Sequence, residues 1–198
     1  MEMIFATKNK GKIKEVKQIL SNFDIISMED AGVTIDVIED GKTFMENAIK
    51  KASEIAKISG KITIADDSGL EIDFFDGKPG VHSARYLGEN TPYIEKNTHI
   101  LNEMKEVPEE KRSARFVCAI AAVFPNGKIL TAQDTIEGII ASEIKGKNGF
   151  GYDPIFFVPE LGKTTAELSP EQKNTISHRG KALQKMKQLL STEEVHEQ

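Results

Sequence analysis

The sequence predicts an α/β fold: a mixed, twisted sheet with flanking helices. Three observations predict it. Short apolar runs of strand length alternate with longer stretches of helical period. A Thr-x-x-Glu capping box at Thr43–Glu46 opens one of those helices. An Asn-Gly pair at Asn126–Gly127, set between two long apolar runs, marks an antiparallel hairpin.

The elements follow in order. Met3–Thr7 is a short buried strand. Asn9 or Lys10 then opens a helix with Ile13, Val16, Ile19 and Leu20 on its apolar side. Residues 22–27 form a second strand. The helix capped by Thr43 runs to about Ser59 and stops at Gly60, a helix terminator. "ITIA" is a strand that ends in "DDSG". "LEIDFF" alternates apolar and acidic, as a half-exposed strand does, and "DGKPG" turns it. Thr91–Lys105 is helical. Arg115–Phe124 and Lys128–Gly138 are the arms of the hairpin, and "PIFFVP" is a further strand. Ser177–Leu190 is the closing helix, with a frayed tail over 191–198. The chain reads as one domain over 1–198, with a lobe built on the hairpin at about 85–145.

Composition narrows the function. The chain has 198 residues, 39% hydrophobic and 29% charged, enough for a sizeable core. No apolar run approaches the roughly 20 residues of a membrane helix, and "MEMIFATKNK" is not a signal peptide. The net charge of −5 argues against coating nucleic acid. Cys118, the single cysteine, excludes an internal disulfide; it reads as a core thiol and fits a reducing, cytoplasmic setting. Charge is nevertheless concentrated. Lys8, Lys10, Lys12, Lys14 and Lys17 crowd one stretch, and Asp66, Asp67, Asp73 and Asp76 another. That pattern suits a metal–phosphate ligand.

Five stretches can carry chemistry. "ATKNKGK" is a strand-to-helix turn where free amides and Lys12 would seat a phosphate; it is equally an Asn9-capped helix with a solvated lysine face. It is not a P-loop, since Ile13 follows Lys12. In "IADDSG", adjacent carboxylates at a strand end repel unless compensated, and hard oxygens there suit Mg²⁺. A carboxylate not fully used by the metal can take a proton from water. Glu39 and Asp40 in "VIEDGKTF" could complete a metal shell or form an exposed acidic turn. In "KNTISHRG", Ser177 can cap the last helix with Lys173, His178 and Arg179 around its first turn, where cations oppose the helix dipole. In "NGFGYDPIFFVP", a planar base could stack on Phe150 or Tyr152 while Asp153 or backbone groups read its edge, or the rings could fill core. A zinc site or a serine hydrolase finds no support.

"TKNKGK", "EDGKTFMENAIKKA", "IADDSGLEID", "PGVHSARY", "NGFGYDPIFF" and "KNTISHRGKAL", in this order, resemble the motifs of the inosine triphosphate pyrophosphatase family, also called non-canonical purine NTP or dITP/XTP pyrophosphatases. The resemblance spans about residues 3–190. It implies two lobes around a central substrate cleft, a homodimer, and Mg²⁺-dependent cleavage of ITP, dITP and XTP to the monophosphate and pyrophosphate. It places Thr7, Lys8, Asn9, Lys10, Gly11 and Lys12 on the triphosphate, with Lys51 facing phosphate and Ser68 on substrate. Asp67 becomes general base and metal ligand, with Glu39 the second ligand and Asp66 assisting. Phe150, Gly151, Tyr152 and Asp153 line the base pocket, and Lys173, His178 and Arg179 contact substrate. One position departs: Lys8 stands where many members have Gly. A positive φ there would strain a lysine; otherwise Lys8 points to solvent or adds a phosphate contact.

Overall fold

The structure, a computed structural model, describes residues 2–196. Seven strands form one sheet: β1 (Glu2–Phe5), β2 (Asp24–Ser27), β3 (Thr63–Ile72), β4 (Ser113–Val123), β5 (Ile129–Ile140), β6 (Phe156–Val158) and β7 (Lys163–Thr164). Their order is β2-β1-β3-β4-β5-β6-β7. β1 pairs in parallel with β2, Met3 opposite Ile25, and with β3, Phe5 opposite Ile64. β5–β6 and β6–β7 are antiparallel. The mixed sheet with helices is therefore borne out. The helices are α1 (Lys10–Ile19), α2 (Phe44–Ser59), α3 (Tyr93–Glu103), α4 (Pro170–Ile176) and α5 (His178–His196).

Local chemistry set several boundaries as expected. Thr43 Oγ1 accepts from Glu46 N–H at 3.1 Å while the Glu46 carboxylate reaches back to Thr43 N–H, the reciprocal capping box. Gly60 ends α2 at φ +66°, a left-handed conformation that costs glycine nothing. Asn126–Gly127 closes the β4–β5 hairpin.

Three expectations are corrected. "ITIADDSGLEI" is one continuous strand, so Asp66 and Asp67 lie in the middle of β3. Alternation sends their side chains to opposite faces, which relieves the repulsion expected of neighbours at a strand end. A separate helix, α4, precedes the closing one. Ser169 accepts from Gln172 N–H at 3.2 Å, the Gln172 side chain returns to Ser169 N–H at 3.0 Å, and Pro170 sits in the first turn. Ser177, at φ −68° and ψ 155°, breaks the chain between α4 and α5. The last helix then runs past Leu190 to His196; the tail read at 191–198 thus continues the helix as far as His196, and residues 197 and 198 lie outside the described residues.

The chain divides into two compact units. The first comprises the chain through Asp67, Cys118–Asp134, and the chain from His178 onward; the second comprises Ser68–Val117 and Thr135–Ser177. The boundaries of these units fall inside β3, β4 and β5. The first unit's core gathers Met3, Phe5, Val16, Leu20, Ile64 and Met186, with Cys118 buried among them as expected. The second unit's core gathers Leu70, Ile72, Ile100, Phe116, Tyr152 and Phe156. Among the described residues no helix is long and apolar enough to cross a membrane.

Candidate active site

In the first unit, charge converges on β3 from three helices. Asp66, 1% exposed, receives Lys12 Nζ at 2.9 Å from α1 and Arg179 Nε at 3.2 Å from the first turn of α5. Arg179 Nη1 also meets Glu15 Oε2 at 2.7 Å, one helical turn along α1 from Lys12. Burial would push the Asp66 carboxyl up, but the Lys12, Arg179 and Lys51 charges more than reverse it and hold it well below the usual carboxylate range. Burial likewise opposes the charge on Arg179, and Asp66 and Glu15 keep it. Asp66 is thus an ionised anchor joining α1, β3 and α5.

Asp67 is different. It is 7% exposed and accepts from Asn47 Nδ2 at 2.8 Å. Burial pushes its carboxyl up; the Asn47 bond opposes this, the Glu39 charge adds to it, and Lys51 and Lys12 draw it down. The net shift is upward, the direction a proton acceptor near neutral pH requires. Asn47 and Lys51 lie one turn apart on α2, and Lys51 Nζ meets Glu39 Oε1 at 2.5 Å. Asp40 instead pairs with Lys50 at 2.6 Å on the exposed side of this turn. Asn47 Oδ1 also takes Gly41 N–H at 2.7 Å. A Cβ on Gly41 would lie 2.6 Å from that oxygen, so only glycine fits so close. Asn47 thereby ties the Glu39 loop to Asp67.

The start of α1 is capped. Asn9 Oδ1 accepts from Gly11 N–H at 2.9 Å and Lys12 N–H at 3.2 Å. These two amides are therefore engaged, as the alternative of an Asn9-capped helix had it. Thr7 Oγ1 accepts from Asn9 N–H at 3.2 Å, and Lys10 is exposed. Asp76 and Leu87 are the only described non-glycine residues at positive φ, so Lys8 is unstrained; its ammonium pairs with Asp36. Thr7, Lys8, Asp36, Glu39 and Lys51 line a cavity of about 180 Å³. His178 is buried at the first position of α5.

The second unit holds the glycine-rich loop. Gly149, at φ +72°, would place a Cβ 2.1 Å from Asp153 Oδ2. That carboxylate is the hub of the loop: Oδ2 accepts from Phe150 N–H at 2.8 Å and Lys173 Nζ at 2.7 Å, and Oδ1 from Thr165 Oγ1 at 2.8 Å. Asp153 is 2% exposed. Its oxygens are turned into the loop and toward Lys173 and Thr165. Tyr152 is buried in the core, its hydroxyl donating to the Ser83 carbonyl at 2.8 Å. Phe150 is half-buried, with Lys173 Nζ 4.7 Å from its ring centroid. Lys173 belongs to α4 and this unit, not to the first turn of the last helix beside Arg179, because Ser177 interrupts the helix between them. Ser68, half-buried, follows Asp67 along β3 as the first residue of the second unit.

Residues 3–189 match the model of the Ham1 family. The chain belongs to the Ham1 family. A Desulforamulus reducens protein called dITP/XTP pyrophosphatase is 46% identical over the full length of both chains. One of the same name from Clostridium perfringens is 48% identical, covering 94% of this chain and 95% of its own. The Staphylococcus aureus Ham1 structure superposes with a TM-score of 0.88 at 42% identity, covering 98% of this chain and 100% of its own. A Coxiella burnetii HAM1 protein gives 0.88 at 41% identity, covering 97% and 99%. The family resemblance read from six motifs is borne out, and with it the expectation of a pyrophosphatase-class enzyme.

Asn47 and Glu15, which join the site, were not expected from the sequence. Asn47 left a signal: it falls with Phe44, Ala48, Ala52 and Ile55 on the buried face of α2, where an amide needs a partner. Glu15, on a lysine-rich helix, looks like any solvated acid.

Proposed function

We propose that this chain is a Mg²⁺-dependent hydrolase of deaminated purine nucleoside triphosphates, converting ITP, dITP and XTP to the monophosphate and pyrophosphate and so cleansing the nucleotide pool. The observation that carries it is Asp67: a buried carboxylate with a raised proton affinity, fixed by Asn47 and sensing the charge of Glu39. The names of full-length relatives near half identity support the substrate class.

Asp67 takes a proton from the attacking water as the new P–O bond forms. The α–β anhydride breaks, and its bridging oxygen leaves with the pyrophosphate. Asp67 and Glu39 would hold Mg²⁺. Among the described residues no group of three or more candidate metal ligands gathers, and Mg²⁺ is ordinarily bound by one or two carboxylates plus substrate phosphates, so this pair fits. When bound, Mg²⁺ supplies charge neutralisation on the phosphates. Glu39, whose charge acts on Asp67, fits better than Asp40, which pairs with Lys50 on the exposed side. Lys8, Lys10 and Lys51 face phosphate, with Thr7, Asn9, Gly11, Lys12, Ser68 and His178 shaping their surroundings. Lys12 and Arg179 act mainly by fixing Asp66.

Phe150 offers the base a ring, braced by Lys173 and Asp153. Hypoxanthine and xanthine carry a 6-oxo group where adenine has an amine. Arg179 is committed to Asp66 and Glu15, which leaves a backbone N–H of the 149–153 loop as the better donor to that oxygen. A buried polar mismatch there costs about 1–3 kcal/mol. The enzyme works as a cytoplasmic homodimer, as the family resemblance implies.

Pyrophosphate release from ITP, XTP, ATP and GTP, each with Mg²⁺ and with excess chelator, tests the reading. Fast metal-dependent release from ITP and XTP alone is the expected result. Equal or absent release overturns it.

A further inference from the structure

Behind the glycine-rich loop stands α3. Asn97 is 2% exposed and donates from Nδ2 to the Gly151 carbonyl at 3.1 Å. Its Oδ1 has no hydrogen-bond partner among the described residues. One turn earlier, Tyr93 lies 3.6 Å from where a Cβ on Gly151 would stand, and its ring meets Tyr152 edge-on at 5.2 Å. Lys96 donates to the Ala84 carbonyl at 2.6 Å, beside the Ser83 carbonyl that takes the Tyr152 hydroxyl. A buried amide on a helix face opposes folding unless it is bonded. Here the amide donates to the loop.

That bond fixes a peptide plane. The only cis peptide among the described residues is Lys78–Pro79, so Gly151–Tyr152 is trans. In a trans peptide the carbonyl and the N–H point in opposite directions. With the Gly151 carbonyl turned to Asn97, the Tyr152 N–H is turned away from α3, and no described residue accepts from it.

We infer that Asn97 is a positioning residue for base selection: by holding the Gly151 carbonyl it aims the Tyr152 N–H as the donor to the 6-oxo oxygen of the purine. This rests on the proposed function. Asn97→Ser withdraws the donor from reach, and Asn97→Leu removes it at nearly constant volume. Ile100→Val, in the buried core of the same helix, is the stability control. Each is assayed for kcat and KM with ITP and ATP and for inhibition by pyrophosphate. In both Asn97 variants the ITP-over-ATP preference falls about tenfold, the factor that about 1.4 kcal/mol corresponds to. The loss lies in KM for ITP, with pyrophosphate inhibition unchanged; Ile100→Val keeps the full preference. A wild-type preference retained in both Asn97 variants, or lost equally in Ile100→Val, overturns the inference alone. A wild-type chain indifferent to the base overturns the proposed function and this inference with it.

Discussion

Asn47 donates to Asp67 across 2.8 Å and with the same amide group holds the Gly41 N–H at 2.7 Å. A single side chain therefore sets both the carboxylate proposed to activate water and the turn that delivers Glu39. Because the bond favours the ionised carboxylate, it restrains the upward push of burial on Asp67.

The pH profile should report this balance. Asp67 must be ionised to accept a proton, so kcat/KM falls as pH drops through its folded pKa, which lies above the ordinary 3.8. Asn47→Ala removes a lowering influence and moves the acid limb to higher pH. Profiles at fixed Mg²⁺ check it; an unmoved limb refutes the assignment.

Asp67→Asn keeps the shape and removes the base. Turnover of ITP should drop by about 10²–10⁴-fold, the range for general base catalysis, while nucleotide binding followed by calorimetry largely survives.

Asp66→Asn addresses stability. Breaking a buried ion pair from one side costs about 3–5 kcal/mol, because Lys12 and Arg179 lose their counter-charge. The sign with pH follows from the lowered folded pKa. Asp66 contributes stability fully above the unfolded pKa near 3.8, and the contribution fades as pH falls toward the folded value. Urea unfolding of both proteins should show a gap at pH 7 that narrows below about pH 4.

Gly149→Ala tests the loop. Its φ of +72° and the 2.1 Å approach to Asp153 Oδ2 admit no Cβ without displacing that hub. Strain of this kind costs about 1–3 kcal/mol. KM for ITP should rise about tenfold or more while kcat changes little; an unchanged KM would separate the loop from base binding.

Cys118 should resist thiol reagents. Burial, reinforced by the Asp66 charge, pushes its thiol up to about 12. Iodoacetamide should label it only in denaturant, as mass spectrometry would show.

Much of the fold was legible because its signals are local. The Thr43 box, the Gly60 stop and the Asn126–Gly127 hairpin each need only a few neighbouring residues. The Ser169–Gln172 box that opens α4 is equally local. What escaped was set at a distance. "DDSG" reads as a strand end because two adjacent charges look incompatible with a buried strand. Lys12 and Arg179, from opposite ends of the chain, make it possible. The same holds for the site: its carboxylates and glycines are visible in the sequence, whereas the inward turn of Asp153 and the capture of Gly151 by Asn97 depend on helices that no local pattern links to that loop.

The ion pair at Asp66 also constrains the order of events during synthesis. Asp66 leaves the ribosome 113 positions ahead of Arg179, a delay of about 6–23 s at usual elongation rates of roughly 5–20 residues per second. Until then the nascent chain has Lys12 but not the guanidinium, and the last helix cannot complete the first unit. The amino-terminal strands must wait for the first turn of α5, so in chains stalled just before Arg179 the first unit should be open to proteases, whereas every residue of the second unit has already been made.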